Sequence, residues 1–378
     1  MKKRSYFAQI SNRRAIFLMV FFFISGIGLL LLPRLLAKYE SIAEVYSLRI
    51  FPILSFIPSR ILNLFPISLT EVFVVSSVFL VLIMLTAFFI RMKHSQYRLR
   101  TLRNMCLLIS VIFFVMAYQY TTMHGLNFFR QPIWESLMLD SVAEAGPDKI
   151  EQAMNFYLDG IISAQAELEN NEKGETLLLS SIPSTLRAGN DSIDNAATVH
   201  SLFSGNKVVP KPVVLSKYWS YTRIAGMYNP IFVEANINVD TPKHEIPLTV
   251  CHEIAHVRGI AREDEANMAS FIACLYSDRA DYRYAAHLYA FESLMEDMRL
   301  GDPDTYDALM TRLPNAVLAD WQASRVYWSQ FDGRLSEMSN RANDSFLKAN
   351  QQEDGVQSYH LSGRFFLNYY YLYLADQS

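Results

Sequence analysis

The sequence predicts a membrane-anchored α+β protein in which three N-terminal transmembrane helices precede a helix-rich domain with a small sheet. Three observations carry the prediction. Charge-free apolar runs crowd the first third, helical periodicity dominates the remainder, and two short β-branched stretches lie just ahead of a His-Glu-x-x-His pentamer. The 378-residue chain is 51% hydrophobic with a mean hydropathy of +0.10, high for a purely soluble protein.

The membrane domain is expected over residues 1–126 and the extracytoplasmic domain over 127–378. Ala15 to Leu32 is a charge-free run of 18 residues and Val72 to Ile90 one of 19, each long enough to cross the hydrocarbon core. Met105 to Thr122 is the third expected crossing. A cleaved signal peptide is the rival for the first run, but Pro33-Arg34 follows it in place of a small-residue cleavage site. Ile50 to Ile67 is apolar yet interrupted by Pro52, Pro58, Arg60 and Pro66, so it reads as interfacial or re-entrant.

Charge sets the orientation. Lys2, Lys3, Arg4, Arg13 and Arg14 precede the first span, and Arg91, Lys93, Arg98, Arg100 and Arg103 separate the second from the third, with no acid in either segment. Under the positive-inside rule both face the cytoplasm, which places everything after about Thr122 outside.

Beyond Asn127 the composition is that of a folded domain. Ile150, Met154, Tyr157, Ile161 and Ala164 recur at spacings of three and four, predicting a helix from Pro147 to about Lys173. Glu175 to Asn206 is rich in Ser, Thr, Gly, Asn and Asp and reads as a loop or lid. Val208 to Ser216 and Ile231 to Asn238 read as strands. Helices follow over about 263–277, 281–300 and 315–350, the last broken near Gly333. Tyr369-Tyr370-Tyr371 reads as part of a packed amphipathic end.

The pentamer His252-Glu253-Ile254-Ala255-His256 carries the chemistry. On a helix, residues four apart present their imidazoles to one point, while Glu253 sits beside the open position of a metal held there. That arrangement suits Zn²⁺, which acidifies water for Glu253 to deprotonate. Pro247 suits a helix start and Gly259 a helix end. A third histidine of the metzincin kind would stand at position 262, which is Arg262, so an acidic third ligand is expected from Glu263, Asp264 or Glu265. Residues 263 and 265 lie about 200° apart around a helix. Behind Glu263 stand Asn267, Ser270 and Cys274, a wall for a site, and behind Glu265 stand Met268, Ala269 and Ile272, a core face. Glu263 is the choice, with Asn267 orienting a ligand and Glu265 pairing on the outer side with Arg262.

Other classes recede. A net charge of −3 without a basic stripe predicts no nucleic-acid partner. Cys106, Cys251 and Cys274 form no Cys-x-x-Cys pair, and the last two read as small buried residues. Tyr218, Tyr221, Tyr228, Arg258 and Arg262 are candidates to stabilise an oxyanion, none preferred. His244, His287 and His360 read as surface or core residues.

The runs HEIAHVRGIAREDEAN, SYTRIAGMYNPIFVEANIN and QQEDGVQSY resemble the bacterial domain-of-unknown-function family 3810 (DUF3810), three-span membrane proteins placed among the zincin metallopeptidases. Two departures stand out: Val233 where glycine is usual before Glu-Ala-Asn, and His360-Leu361 after Tyr359. More distantly, Glu263 to Asn267 resembles the Glu-x-x-Ala-Asp signature of membrane-bound prenyl-protein and heat-shock zincins, with Asn267 replacing Asp. The resemblance implies a zincin-like domain whose edge strand, Ile231 to Asn238, pairs with a peptide substrate.

The expected function is therefore a membrane-anchored zinc metalloendopeptidase that hydrolyses peptide bonds of an extracytoplasmic protein or peptide. Its metal ligands are His252, His256 and Glu263, its general base Glu253, its cofactor Zn²⁺, and its partners the bilayer and a polypeptide substrate. The alternative is a zincin-fold sensor or assembly protein with little turnover. Retention of Glu253 favours the enzyme, because a structural site needs a fourth protein ligand and no base.

Overall fold

The computed structural model describes residues 12–139, 146–350 and 362–375; Lys2, Lys3, Arg4, the QQEDGVQSY run and His360-Leu361 lie outside the described residues. Among the described residues four helical stretches, not three, are long and apolar enough to cross a membrane: Asn12–Leu36, Ser41–Leu62, Leu69–Met92 and Arg98–Met123. The first, third and fourth (α1, α4 and α5) contain the three expected runs. The second consists of α2 (Glu40–Val45), a π turn (Tyr46–Ile50) and α3 (Phe51–Leu62). Its prolines were expected to interrupt it. Pro52 instead occupies the first turn of α3, where a missing N–H costs nothing, and Ser55 and Ser59 bond back to carbonyls of the preceding turn around Pro58. Ala43, Ser47, Phe51, Ser55 and Ser59, each four residues on from the last, form its buried stripe.

Helices α1 and α5 run parallel. Phe22 meets Phe114, and further along Thr121 donates to Leu29 O. Gly26 permits the approach, since a Cβ there would lie 2.6 Å from the Phe113 ring. The opposite end of α4 is tied to the domain by the buried Glu234, whose carboxylate accepts from Leu69 N (3.2 Å), Thr70 N (2.9 Å) and Thr70 Oγ1 (2.7 Å). A helix N-terminus presents unpaired N–H groups and partial positive charge, so a buried carboxylate there satisfies both partners.

The domain is built from helices around three short strands. After α6 (Ile133–Ser136) come α7 (Pro147–Gln165), α8 (Ile182–Val199), β1 (Lys211–Pro212), α9 (Ser216–Ser220), β2 (Gly226–Asn229) and β3 (Glu234–Ile237). Then follow α10 (Ile246–Val257), α11 (Glu263–Leu275), α12 (Ala280–Gly301), α13 (Pro303–Thr311), α14 (Asn315–Ser329), α15 (Arg334–Ala349) and α16 (Ser362–Tyr369). All five periodic residues of α7 are buried, as are Cys251 and Cys274, and Tyr369 and Tyr370 pack inside the C-terminal end. The expected break near Gly333 separates α14 from α15.

Helix α7 ends at Gln165, short of Lys173, and of the strand expected over Val208 to Ser216 only Lys211–Pro212 pairs, with Ser216 already starting α9. Two further expectations fail. Residues 182–199 are helical, not a loop or lid. Their small and polar residues are there because α8 packs tightly on α10: Thr185, Gly189 and Ser192 are buried, and a Cβ on Gly189 would meet Val250 Cγ1 at 2.4 Å and Ile254 Cδ1 at 2.8 Å. Secondly, strand order is β1-β3-β2, so the stretch within Ile231 to Asn238 is the central strand, paired with β1 in parallel and β2 in antiparallel. The edge strands are β1 and Gly226–Asn229, and the latter, Gly-Met-Tyr-Asn, carries no β-branched residue to mark it. Val233, where the family resemblance calls for glycine, has φ +52° in the β2–β3 turn, the left-handed region a β-branched residue rarely enters.

The α8–α10 contact is testable. Gly189→Ala should lower folding stability by about 1–3 kcal/mol through overpacking, whereas Gly28→Ala, where a Cβ meets nothing, should not lower it. Thermal unfolding in detergent measures both; an unchanged midpoint for Gly189→Ala would mean that the α8–α10 contact is loose.

Candidate metal centre

Helix α10 is one of the most enclosed elements of the domain: Val250, Cys251, Ile254 and Ala255 are inaccessible. Pro247 lies in its first turn, and Gly259, with φ +88°, closes its end as Ile260 N bonds back to Ala255 O. Only Ile260 to Arg262 separate this end from α11, so Glu263, its first residue, is delivered back onto α10.

Three side chains converge. His252 Nε2 lies 3.0 Å from His256 Nε2 and 3.2 Å from Glu263 Oε2, and His256 Nε2 lies 3.5 Å from Glu263 Oε1. Both outer ring nitrogens are engaged: His256 Nδ1 with Ile260 O at 2.7 Å and His252 Nδ1 with Asn267 Oδ1 at 2.9 Å. A carbonyl only accepts, so Nδ1 of His256 donates and its Nε2 lone pair faces inward; Asn267 Oδ1 imposes the same on His252. Two lone pairs and a carboxylate so close repel one another unless a proton or a cation lies between them.

These residues can hold a metal ion. A tetrahedral ion with bonds of about 2.0–2.1 Å sets its donors roughly 3.3 Å apart, within the observed 3.0–3.5 Å. Without a cation, the charge balance falls on the side chains. Burial alone would lower the pKa of His256, but Glu263 outweighs it and lifts it to about 9. Burial would likewise raise Glu263, yet His256 and His252 hold it well below the carboxylate range.

The other predicted residues fall where the helix phase put them, with one change. Glu265 bonds Arg262 at 2.8 Å as expected, but in the interior, where it also accepts from Ile133 N. Asp264 turns away and accepts from Glu265 N, its carboxyl pushed up to about 6 by burial and then by Glu265. Glu253 is buried beside the three donors, its pKa raised by burial, and its Oε2 lacks a hydrogen-bond partner among the described residues. Gly226 of β2 lies so close that a Cβ would sit 2.5 Å from Glu253 Oε1.

The site opens into a cavity of about 1120 Å³ whose walls include β2, α12, α14 and α15. Sequence reasoning missed His124, which follows α5 and whose ring centre is 5.9 Å from that of His256. Burial, and then His256, drop its pKa to about 3, and its Nδ1 has no partner among the described residues. No signal near position 124 marks it. Of the oxyanion candidates only Tyr228 lines the cavity, and its hydroxyl donates to Met123 O at 2.9 Å. Arg258 is bound to Asp194 and Phe203 O, Arg262 to Glu265 and Phe128 O, and Tyr218 and Tyr221 are exposed. His287 is buried, its pKa lowered to about 4 by desolvation, and His244 lies on the cavity wall near Asp320 and Ser324.

A family profile described as "Protein of unknown function (DUF3810)" matches residues 46–362. The chain belongs to that family. The match takes in α4, α5 and the whole candidate centre of this DUF3810 protein. No curated protein and no solved structure matches the chain.

Metal competition titrations separate the roles. Asn267→Ala should weaken Zn²⁺ binding about 10–100-fold by freeing the His252 ring, and Glu263→Gln should weaken it more. Glu265→Gln should leave binding near normal while lowering folding stability by about 3 kcal/mol or more. A large loss of affinity in Glu265→Gln alone would overturn the assignment.

Proposed function

We propose that this DUF3810 protein is a membrane-anchored zinc metallopeptidase with a zincin-like domain that hydrolyses peptide bonds of an extracytoplasmic protein or peptide. The observation that carries the reading is the approach of His252, His256 and Glu263 within 3.0–3.5 Å, with Glu253 buried beside them. His252, His256 and Glu263 would hold Zn²⁺, with Asn267 and Ile260 O fixing the two rings. When bound, the ion acidifies water and polarises a carbonyl as a Lewis acid. Glu253 takes the proton from the attacking water and returns it to the leaving amine, a task suited to a carboxylate whose pKa burial has raised. Its unpartnered Oε2 favours this reading over a sensor or assembly role, in which a buried carboxylate left unsatisfied would only cost stability.

Topology follows from the helix directions. Helices α1 and α5 are parallel, and α4 joins α5 through a short turn at 93–97, so α4 crosses in the opposite sense. The segment 41–62 would then begin and end on one side without crossing, in keeping with the bonds of Asn206 Nδ2 to Pro52 O and Ser55 Oγ that tie it to the domain. Three crossings together with the basic flanks support a domain outside the cytoplasm.

Purified wild type should carry about one zinc per chain, and the His252→Ala, His256→Ala double variant should carry none by elemental analysis. Glu253→Gln should keep its zinc but lose at least about 100-fold in peptide hydrolysis; equal turnover by this variant sinks the enzyme reading. For topology, Lys173→Cys should react with an impermeant thiol reagent on intact cells. Labelling only after lysis means that the domain is cytoplasmic.

A further inference from the structure

Building on the metallopeptidase reading, we propose that the cavity takes the juxtamembrane segment of a membrane-anchored polypeptide, within a few residues of the bilayer surface. The ends of α1, α4 and α5 share one level, and that level adjoins the cavity. Thr121 near the end of α5 donates to Leu29 O of α1 at 3.0 Å, and Gly125, just past α5, lies against Pro33. The β2–β3 turn rests on these ends: Gln119 of α5 donates to Ile231 O at 3.2 Å, and Phe73 in the second turn of α4 meets Phe232 edge-on at 5.5 Å. His124, the first residue beyond α5, lines the cavity beside His256.

The edge strand gives this placement a direction. Strand β2 pairs with β3 and lines the cavity, running from Gly226, against Glu253, to Asn229 at the turn that sits on the helix ends. Its ends lie roughly 10 Å apart at about 3.3 Å per residue. An extended chain that adds to this edge therefore has only roughly three to six residues between the base and the level of the apolar helix ends. A polypeptide emerging from the lipid is delivered straight into such a groove, whereas a free peptide gains nothing from its placement there.

The test uses the full-length protein in liposomes and two series of anchored peptides. In one, a randomised stretch is joined directly to a membrane span of about twenty leucines. In the other, a Gly/Ser spacer of about fifteen residues intervenes, so both series have the same concentration at the membrane. Mass spectrometry of released fragments should place cuts within roughly six residues of the span in the first series, with cutting of the spaced series at least about ten-fold slower. Equal cutting of both overturns the proposal and leaves the metallopeptidase reading standing. The second arm places a photoreactive residue at Met227 in the full-length Glu253→Gln variant. Cross-links confined to juxtamembrane residues support the proposal, and cross-links spread along the peptide, or none, overturn it. Juxtamembrane cross-links without cutting by the wild type would instead sink the peptidase reading while keeping the preference of the groove.

Discussion

Two imidazole lone pairs and a carboxylate meet within 3.5 Å in a site closed to water on most sides, and much of the domain serves to hold them there. Such a meeting needs a proton or a cation between the donors, and packing holds the three side chains in place around it. Helix α10 is fixed from one side by α8, whose Gly189 allows contact at Val250 and Ile254, and from another by α11. Gly259 ends α10 one turn after His256 and turns the chain, and the link is too short for Glu263 to lie anywhere but over the two rings. The second bond of each ring, to Asn267 and to Ile260 O, then removes the freedom to rotate away.

The long apolar helices are part of the same framework. Glu234 on the central strand binds the first turn of α4, Asn236 takes a hydrogen bond from Ser68, and Tyr228 on the edge strand binds the last carbonyl of α5. The sheet is thus tied to two apolar helices by buried polar bonds, which are costly to break singly. His124 belongs to both parts, capping the end of α5 and facing His256. Tilting α5 would therefore carry His124 and Tyr228 with it.

Polar capping also explains why an apolar chain can stand on a small sheet. Four-residue strands bury little surface of their own. Their stability comes from α10, packed against both β2 and β3, and from side-chain bonds such as Asn238 Nδ2 to Ser220 Oγ and Ile224 O. Loop residues between α9 and β2 are held in this way beside the cavity, where Thr222 to Ala225 form part of its wall.

Much of this was legible in the sequence because it depends on local spacing. The pentamer places His252 and His256 four apart on any helix, and the 200° between residues 263 and 265 was enough to send Glu263 inward to the histidines and Glu265 away from them, though not to show that Glu265 is buried. The five buried residues of α7 and the break at Gly333 are equally local signals. What escaped depends on partners far along the chain. Residues 182–199 look like a loop because Ser, Thr, Gly, Asn and Asp outnumber the few apolar residues of the period Leu186, Ile193 and Ala196, yet the small residues are those a close helix contact needs. The edge strand is decided by which neighbour pairs with which, and no periodicity encodes strand order. His124 lies 132 residues from His256, and only the docking of α5 on the domain brings the two rings together. Local spacing by itself determined the donors of the candidate centre; the cavity around them, and its place at the ends of the apolar helices, were decided by long-range packing.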